Sequence, residues 1–418
     1  MKRIEYQLLM LFAALAFLGC SQDETTKSGD SKNAESPVYF LAATNDAFAT
    51  RGTVITGNEL DTDTQFRIYA TQQTRQGETP TGIPTAFIPA AGDATADYAV
   101  SYGQVNVYDN NPSITPYYVN VWKTGKTYLW PDDVYMVNFY AVHPANAPII
   151  TDITASKSIV FDGSTDDLSL KGQYDLMYAT ARRHKEDSQF TAILDGFNDK
   201  STVALNFTHV LSRIAFYGML SEELKGYGWK VQIQDISICN VNVAGTLTFN
   251  DDPTASPAAT LTPAATSTKS SVTLAMNTAS HLTLTTTAVE QDEAGQNVPL
   301  TSPTDVAMLM PQTLAAWTPA TENTGTTVPA TNGGYLKINM RIVDGDGHYH
   351  LGSAGDNGYE PVFQPFKIDW AASKAYRYTL TFGLGLNAAG VDKKQPITIE
   401  CAIQPWISTA VSGTAEHH

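Results

Sequence analysis

The chain has 418 residues, too many for one ordinary hydrophobic core, so two domains are expected. Asp and Glu number 42 against 26 Lys and Arg, a formal net charge of −16 that argues against the basic patches nucleic-acid binding requires. Charge is sparse, Thr, Ala, Asn, Gly and Pro are plentiful, and no stretch carries a long amphipathic helical pattern, so the composition reads as all-β.

Lys2 and Arg3 open the chain, and the apolar stretch Leu8 to Leu18 that follows has the length of a signal-peptide core. It is too short to span a bilayer as a stable helix. It ends at Gly19-Cys20, a small residue before a cysteine, which resembles a bacterial lipobox. Residues 1–19 are therefore expected to be a signal peptide. Cys20 is expected to be the lipidation site, its thiol carrying diacylglycerol. Two or three acyl chains anchor a protein stably where one is marginal. Residues 20–37 are polar and free of aromatics, and read as a disordered tether. No later apolar run is long enough for a transmembrane helix, so lipid alone would hold the mature protein.

Val38 to Ala43 is apolar, without Pro or Gly, and predicts a buried strand. Small and polar residues follow as far as Arg51-Gly52. An Arg-Gly bond between two strand-like runs is an exposed, cuttable bond. Residues 38–51 are therefore expected to be a removable first strand, with cleavage between Arg51 and Gly52. The first globular region is assigned to 38–201. Within it Phe66, Ile68 and Ala70 alternate with polar residues, as a half-buried strand does. Gly77 to Asp97 reads as a loop. Ala99–Tyr108, Tyr117–Trp122 and Thr127–Trp130 read as short strands. Val134 to Val142 is nearly all apolar and predicts a central strand covered on both faces, ended by His143-Pro144. Asp175 to Ala181 is a further strand.

The second region is assigned to 202–418. Val203, Leu205 and Phe207 alternate, as do Ile214 and Phe216, with His209 between the two runs. No nucleophile context and no acid partner lie near His209 in sequence, so it is expected to be a structural histidine at a strand bend. Trp229 to Phe249 predicts one or two strands kinked at Gly245. Asp251 to Val289 predicts hairpin strands between loops, and Val306 to Met310 a short strand. Tyr335 to Val343 alternates cleanly into Asp344-Gly345-Asp346-Gly347, a turn that lacks the later carboxylates of a calcium loop. Tyr376–Leu384 and Ile397–Ile403 are the last strands. Cys239 and Cys401 are expected to be separate buried thiols. No paired carboxylates, zinc motif or nucleophile elbow occur, so no catalytic residue, metal or cofactor is expected.

Several of these pieces together resemble the fimbrillins, the type V pilin family of Bacteroides-like bacteria. They are the lipobox at Cys20, ATRGTVIT around Arg51, VNFYAVHP at Val137–Pro144, DLMYA at Asp175–Ala179, NFTHVLSRIAF at Asn206–Phe216, and YRYTLTF with ITIECAIQPW near the end. The Ser-x-Asp-Glu run after Cys20 also resembles the acidic signal that sends some lipoproteins of such bacteria to the cell surface. The resemblance implies two tandem transthyretin-like β-sandwich domains. It implies a lipoprotein precursor held in the outer membrane and a trypsin-like protease that cuts after Arg51. It also implies assembly into a fimbria, with another subunit's C-terminal strand filling the vacated groove by β-strand addition. The tail after Trp406, ISTAVSGTAEHH, is a poor donor pattern and favours a tip or accessory subunit, for which a host or bacterial surface ligand is the expected partner. The alternative is a surface glycan-binding lipoprotein, in which Tyr117, Tyr118, Trp122, Trp130 and Trp317 stack on sugars.

Overall fold

The structure is a computed structural model. It describes residues 37–44, 48–50, 53–55, 60, 63–76, 79–80, 83–107, 117–131, 136–147, 150, 153–162, 175–184, 202–221, 224, 228–264, 269–277, 282–284, 298–302, 307–318, 333–383 and 398–405. Its elements are strands and one 3₁₀ turn at Thr95–Tyr98, so the fold is all-β. No helix among the described residues is long and apolar enough to cross a membrane.

The first sheet contains β1 (Tyr39–Thr44), β2 (Gln65–Gln73), β3 (Thr85–Ile88), β4 (Ala99–Val107), β5 (Tyr117–Thr124) and β6 (Met136–His143); β7 (Ser158–Asp162) lies in a separate small sheet. It is completed by β8 (Met177–His184) and β9 (Thr202–His209). Its order is β6-β8-β9-β1-β5-β4-β2-β3, and β6 also pairs with β2. The pairing therefore closes on itself through β2 and β6, with β3 at a margin. β6 is buried along its whole length, as its apolar sequence predicts, because β2 and β8 flank it and both of its faces are covered. The Gly77–Asp97 segment, expected to be a loop, contributes β3, whose Ile88 is fully buried. Pro84 and Pro89 bracket it, which suits a strand at a sheet margin.

The second assembly begins at β10 (Ser212–Leu220) and β11 (Lys230–Asn242), followed by β12 (Ala244–Phe249), β13 (Ala259–Pro263), β14 (Lys269–Thr273) and β15 (Ala307–Leu309). Then come β16 (Tyr335–Val343), β17 (Glu360–Pro365), β18 (Lys374–Phe382) and β19 (Thr398–Pro405). One layer holds β10, β18 and β19, with β10 and β18 parallel; the other holds β14, β11, β16 and β17. Ile214, Phe216, Tyr378 and Leu380 of the first layer meet Val231, Ile233, Ile338 and Met340 of the second in one apolar cluster. In β11 the inward residues are Val231 and Ile233, then Ile236 and Ile238. That change of phase needs one extra residue, and the β11–β16 register shifts between Ile233 and Asp235, a β-bulge. The expected kink at Gly245 falls instead at Val243, between β11 and β12. Gly245 lies inside β12, where a Cβ would come within 2.3 Å of Met310 and 2.8 Å of the Thr262 carbonyl oxygen.

Two apolar clusters are thus present, but they do not divide at residue 201. β9 follows that point and puts Val203, Leu205 and Phe207 into the first cluster. Its hydrogen bonding explains this, since β9 pairs with β1 and β8. The β12–β13 hairpin also serves the first cluster, through Leu247, Phe249 and Ala259. Phe249 meets Tyr140 at 5.5 Å and Tyr178 at 5.8 Å between ring centroids. Lys157 and Arg182 bind Asp251 and Asp252, at 2.5 and 3.1 Å, and hold the hairpin tip in place. β15 straddles the two, with Met308 in the first cluster and Leu309 in the second.

Phe249→Ala empties a site against two tyrosines and should cost about 3–5 kcal/mol. Hydrogen exchange should rise in β6, far along the chain from the substitution, while β16 stays protected. Equal protection of β6 in both proteins would show that the hairpin merely lies on the surface.

Candidate functional site

β1 is a strand, as its sequence predicts, but only alternate residues of its apolar run are fully buried. Val38, Phe40 and Ala42 point inward, and Tyr39, Leu41 and Ala43 are half-buried. Phe40 is fully buried and meets Phe139 of β6 and Phe66 of β2 edge-on, with ring centroids 5.9 and 6.5 Å apart. Phe66 in turn packs on Phe207 of β9 and Trp122 of β5, at 5.0 and 5.4 Å. Such contacts add to the roughly 2 kcal/mol that burying each large apolar side chain contributes.

The two edges of β1 are held unequally. Along one, β1 runs parallel to β9 through its whole length, from Tyr39 opposite Thr202 to Thr44 opposite Phe207. Along the other, its register with β5 is the one pair Phe40 and Trp122. The Val38 amide donates to the Tyr128 carbonyl at 2.8 Å, and Pro37 bridges Leu129. The strand expected at Thr127–Trp130 is only that bridge. Past β1, Phe48–Thr50 pairs antiparallel with Thr53–Ile55, Thr50 opposite Thr53. Arg51 and Gly52 between them, and Cys20 in the leader, lie outside the described residues.

His209 has the acid partner that its sequence neighbourhood lacks. Its Nδ1 donates to Asp175 Oδ1 at 2.7 Å, with both side chains buried. The thiols of Cys239 and Cys401 are both free, Cys239 buried and Cys401 exposed. The expectation of two buried thiols therefore fails at Cys401. β19 is the last strand of its layer, and the face carrying Cys401 borders an open groove of about 500 Å³. Phe366, Tyr376, Tyr378, Ile399 and Ile403 line that groove, and Ile403 is 64% exposed. Alternation in the sequence gives the face of Cys401 but not whether anything covers that face.

Asp344 closes the expected turn. Its Oδ1 accepts the amides of Asp346 and His348, each at 2.9 Å, and its Oδ2 accepts from His350 Nε2 at 2.9 Å. These bonds, the His350 contact foremost, hold its carboxyl down at about 2. Asp344, Asp346 and His348 are near enough to share an ion, but the Asp344 oxygens already accept four donors when His348 Nδ1 at 3.4 Å is included. Trp122 and Trp317 are buried and offer no open face for a sugar, while Trp130 is half-buried and packs edge-on with Phe139 at 5.8 Å. The side chains of Tyr117 and Tyr118 lie outside the described residues.

A protein-family model described as fimbrillin-like matches residues 50–406. A fimbrial protein from Bacteroides vulgatus is similar in structure, with 16% identity, 89% of this chain and 99% of that chain covered, and a TM-score of 0.47. The tip fimbrial protein of Porphyromonas gingivalis, solved with a C-terminal truncation, has 12% identity, 88% and 100% coverage, and a TM-score of 0.36. No curated protein matches the chain.

Phe40→Ala should lower unfolding stability by about 3–5 kcal/mol in urea titration, against about 1 kcal/mol for the half-buried Leu41→Ala. Similar losses would mean that β1 lies on the sheet and does not fill the core. The depressed Asp344 carboxyl ties the turn to pH. Its contribution is present above the ordinary carboxylate value and fades as pH falls from there to about 2. Exchange at the His348 amide should rise over that interval and stop responding in Asp344→Ala.

Proposed function

The chain belongs to the fimbrillin-like family of fimbrial and adhesion subunits, and from that premise we propose that it is exported as a lipoprotein and assembled by strand exchange. Cys20 carries the lipid that holds the precursor in the outer membrane. A trypsin-like protease cuts between Arg51 and Gly52. β1 then leaves, and an extended strand of another subunit takes its place. The two apolar clusters are read as two tandem transthyretin-like sandwiches, with the chain crossing between them at Val210–Leu211.

The observation that carries this reading is the way β1 is held. It has a full parallel ladder on one edge, a single register pair on the other, and three buried side chains. Cleavage downstream leaves all of these contacts in place, so the cut alone should not unfold the body. Once β1 departs, the edges of β9 and β5 expose unpaired amides and carbonyls beside a slot lined by Phe66, Phe139 and Trp122. Such a slot demands a replacement strand, whose main chain restores the ladder while alternate apolar side chains refill the pockets.

The donor is better sought in β19 than in the tail after Trp406. β19 lies at the margin of its layer and places Ile399, Cys401 and Ile403 at alternate positions on one face. That pattern suits the pockets left by Val38, Phe40 and Ala42. This supports a subunit able to donate as well as accept.

Mild trypsin should produce a species beginning at Gly52, identified by mass spectrometry of the new N-terminus. Arg51→Ala should abolish both that species and polymer formation. Cys20→Ala should release the precursor from membranes. Assembled protein that keeps residues 42–51 quantitatively would overturn strand removal while leaving family membership untouched.

A further inference from the structure

A buried titratable cluster lies where the chain crosses from the first apolar cluster to the second, and strand exchange makes no use of it. Strand pairing sets His143, Met177 and His209 in one row across β6, β8 and β9. Asp175 precedes Met177 by two residues. His143, Asp175 and His209 are 7%, 5% and 1% exposed. His143 Nδ1 is 3.0 Å from the Gln65 carbonyl oxygen, and a carbonyl only accepts, so Nδ1 carries the proton. The Nδ1 of His209 likewise donates to the Asp175 carboxylate. A further proton on His143 must enter at its Nε2.

Asp175 brings one negative charge and can balance one imidazolium. The other groups acting here are cations or neutral. Arg213, at the start of β10, feels the Asp175 charge and faces Tyr217. Arg67, on β2 opposite Val142, spends its guanidinium on the carbonyls of Ala145 and Ala147, just past His143. The Asp175 carboxylate is already bonded to His209, so an imidazolium at His143 would be a poorly compensated buried charge. Burial accordingly holds His143 below the ordinary histidine value.

The main chain of this site is tied to the other cluster. Ser373, in the left-handed region at φ 58°, donates its hydroxyl to the His209 carbonyl at 2.7 Å. Its amide donates to the Leu211 carbonyl at 3.1 Å, and the Ser212 hydroxyl donates to the Ala371 carbonyl at 2.9 Å. The side chain of His209 is thus seated in the first cluster while its backbone is held from the second.

We propose that His143, Asp175 and His209 form an acid-sensitive clasp, in which a buried imidazolium at His143 loosens the 209–213 crossing before either sheet melts. A histidine held below its ordinary value takes up its proton more readily once the site opens. The opening equilibrium is therefore flat above the ordinary histidine range and rises by up to about tenfold per pH unit below it.

Hydrogen–deuterium exchange of the full chain, corrected for intrinsic rate, tests this on peptides spanning 205–215 and 369–376. Opening should be about tenfold faster at about pH 5.5 than at about pH 7, while β16 is unchanged. His143→Gln keeps a donor for Gln65 but takes up no proton, and should exchange alike at both values. Wild-type exchange that ignores pH, or equal acid sensitivity in His143→Gln, overturns the clasp. If His143→Gln does not fold, the wild-type ring titration by NMR decides. A His143 that titrates at or above the ordinary histidine value overturns the proposal, and one that titrates below it supports it.

Discussion

The parallel ladder between Tyr39–Thr44 and Thr202–Phe207 holds the first cluster closed. It joins the first described strand to one that arrives some 160 residues later, and it seats Phe40 against aromatics from two other strands. The ordering entropy of so long a loop is offset only by what the strand buries. Those contacts depend on position and not on chain continuity, so the strand can be severed downstream and still hold.

The second assembly repeats the motif with a different outcome. β10 runs parallel to β18 from Arg213 opposite Ala375 to Leu220 opposite Phe382. β10 continues directly from β9 through Val210 and Leu211, so it cannot leave without unravelling both sheets. Under the proposed strand exchange the two strands would differ in fate despite similar pairing, because β10 is continuous with β9 in the same chain.

Much of this was legible in local pattern. The nearly all-apolar run Val134–Val142 announced a strand buried on both faces, and β16 and β10 alternate as written. The phase change in β11 from Ile233 to Ile236 emerges only from its pairing with β16, where it forms a bulge, while the local pattern pointed to a kink at Gly245. What pattern could not supply was pairing over distance. Val203, Leu205 and Phe207 read the same whichever sheet they join, so the boundary was set too early. The Asp175–His209 bond spans a gap that no neighbourhood search crosses. The cleavage and lipid positions rest on motif and family likeness, not on packing.

The first cluster is not finished by its own half of the chain. Phe249, Ala259, Met308 and Met310 belong to it, and Met310 follows β9 by roughly a hundred residues. Until that later segment is in place, the strands of the N-terminal half lack the side chain that packs on Tyr140 and Tyr178. The first cluster therefore cannot complete its packing in chain order, wherever the chain folds.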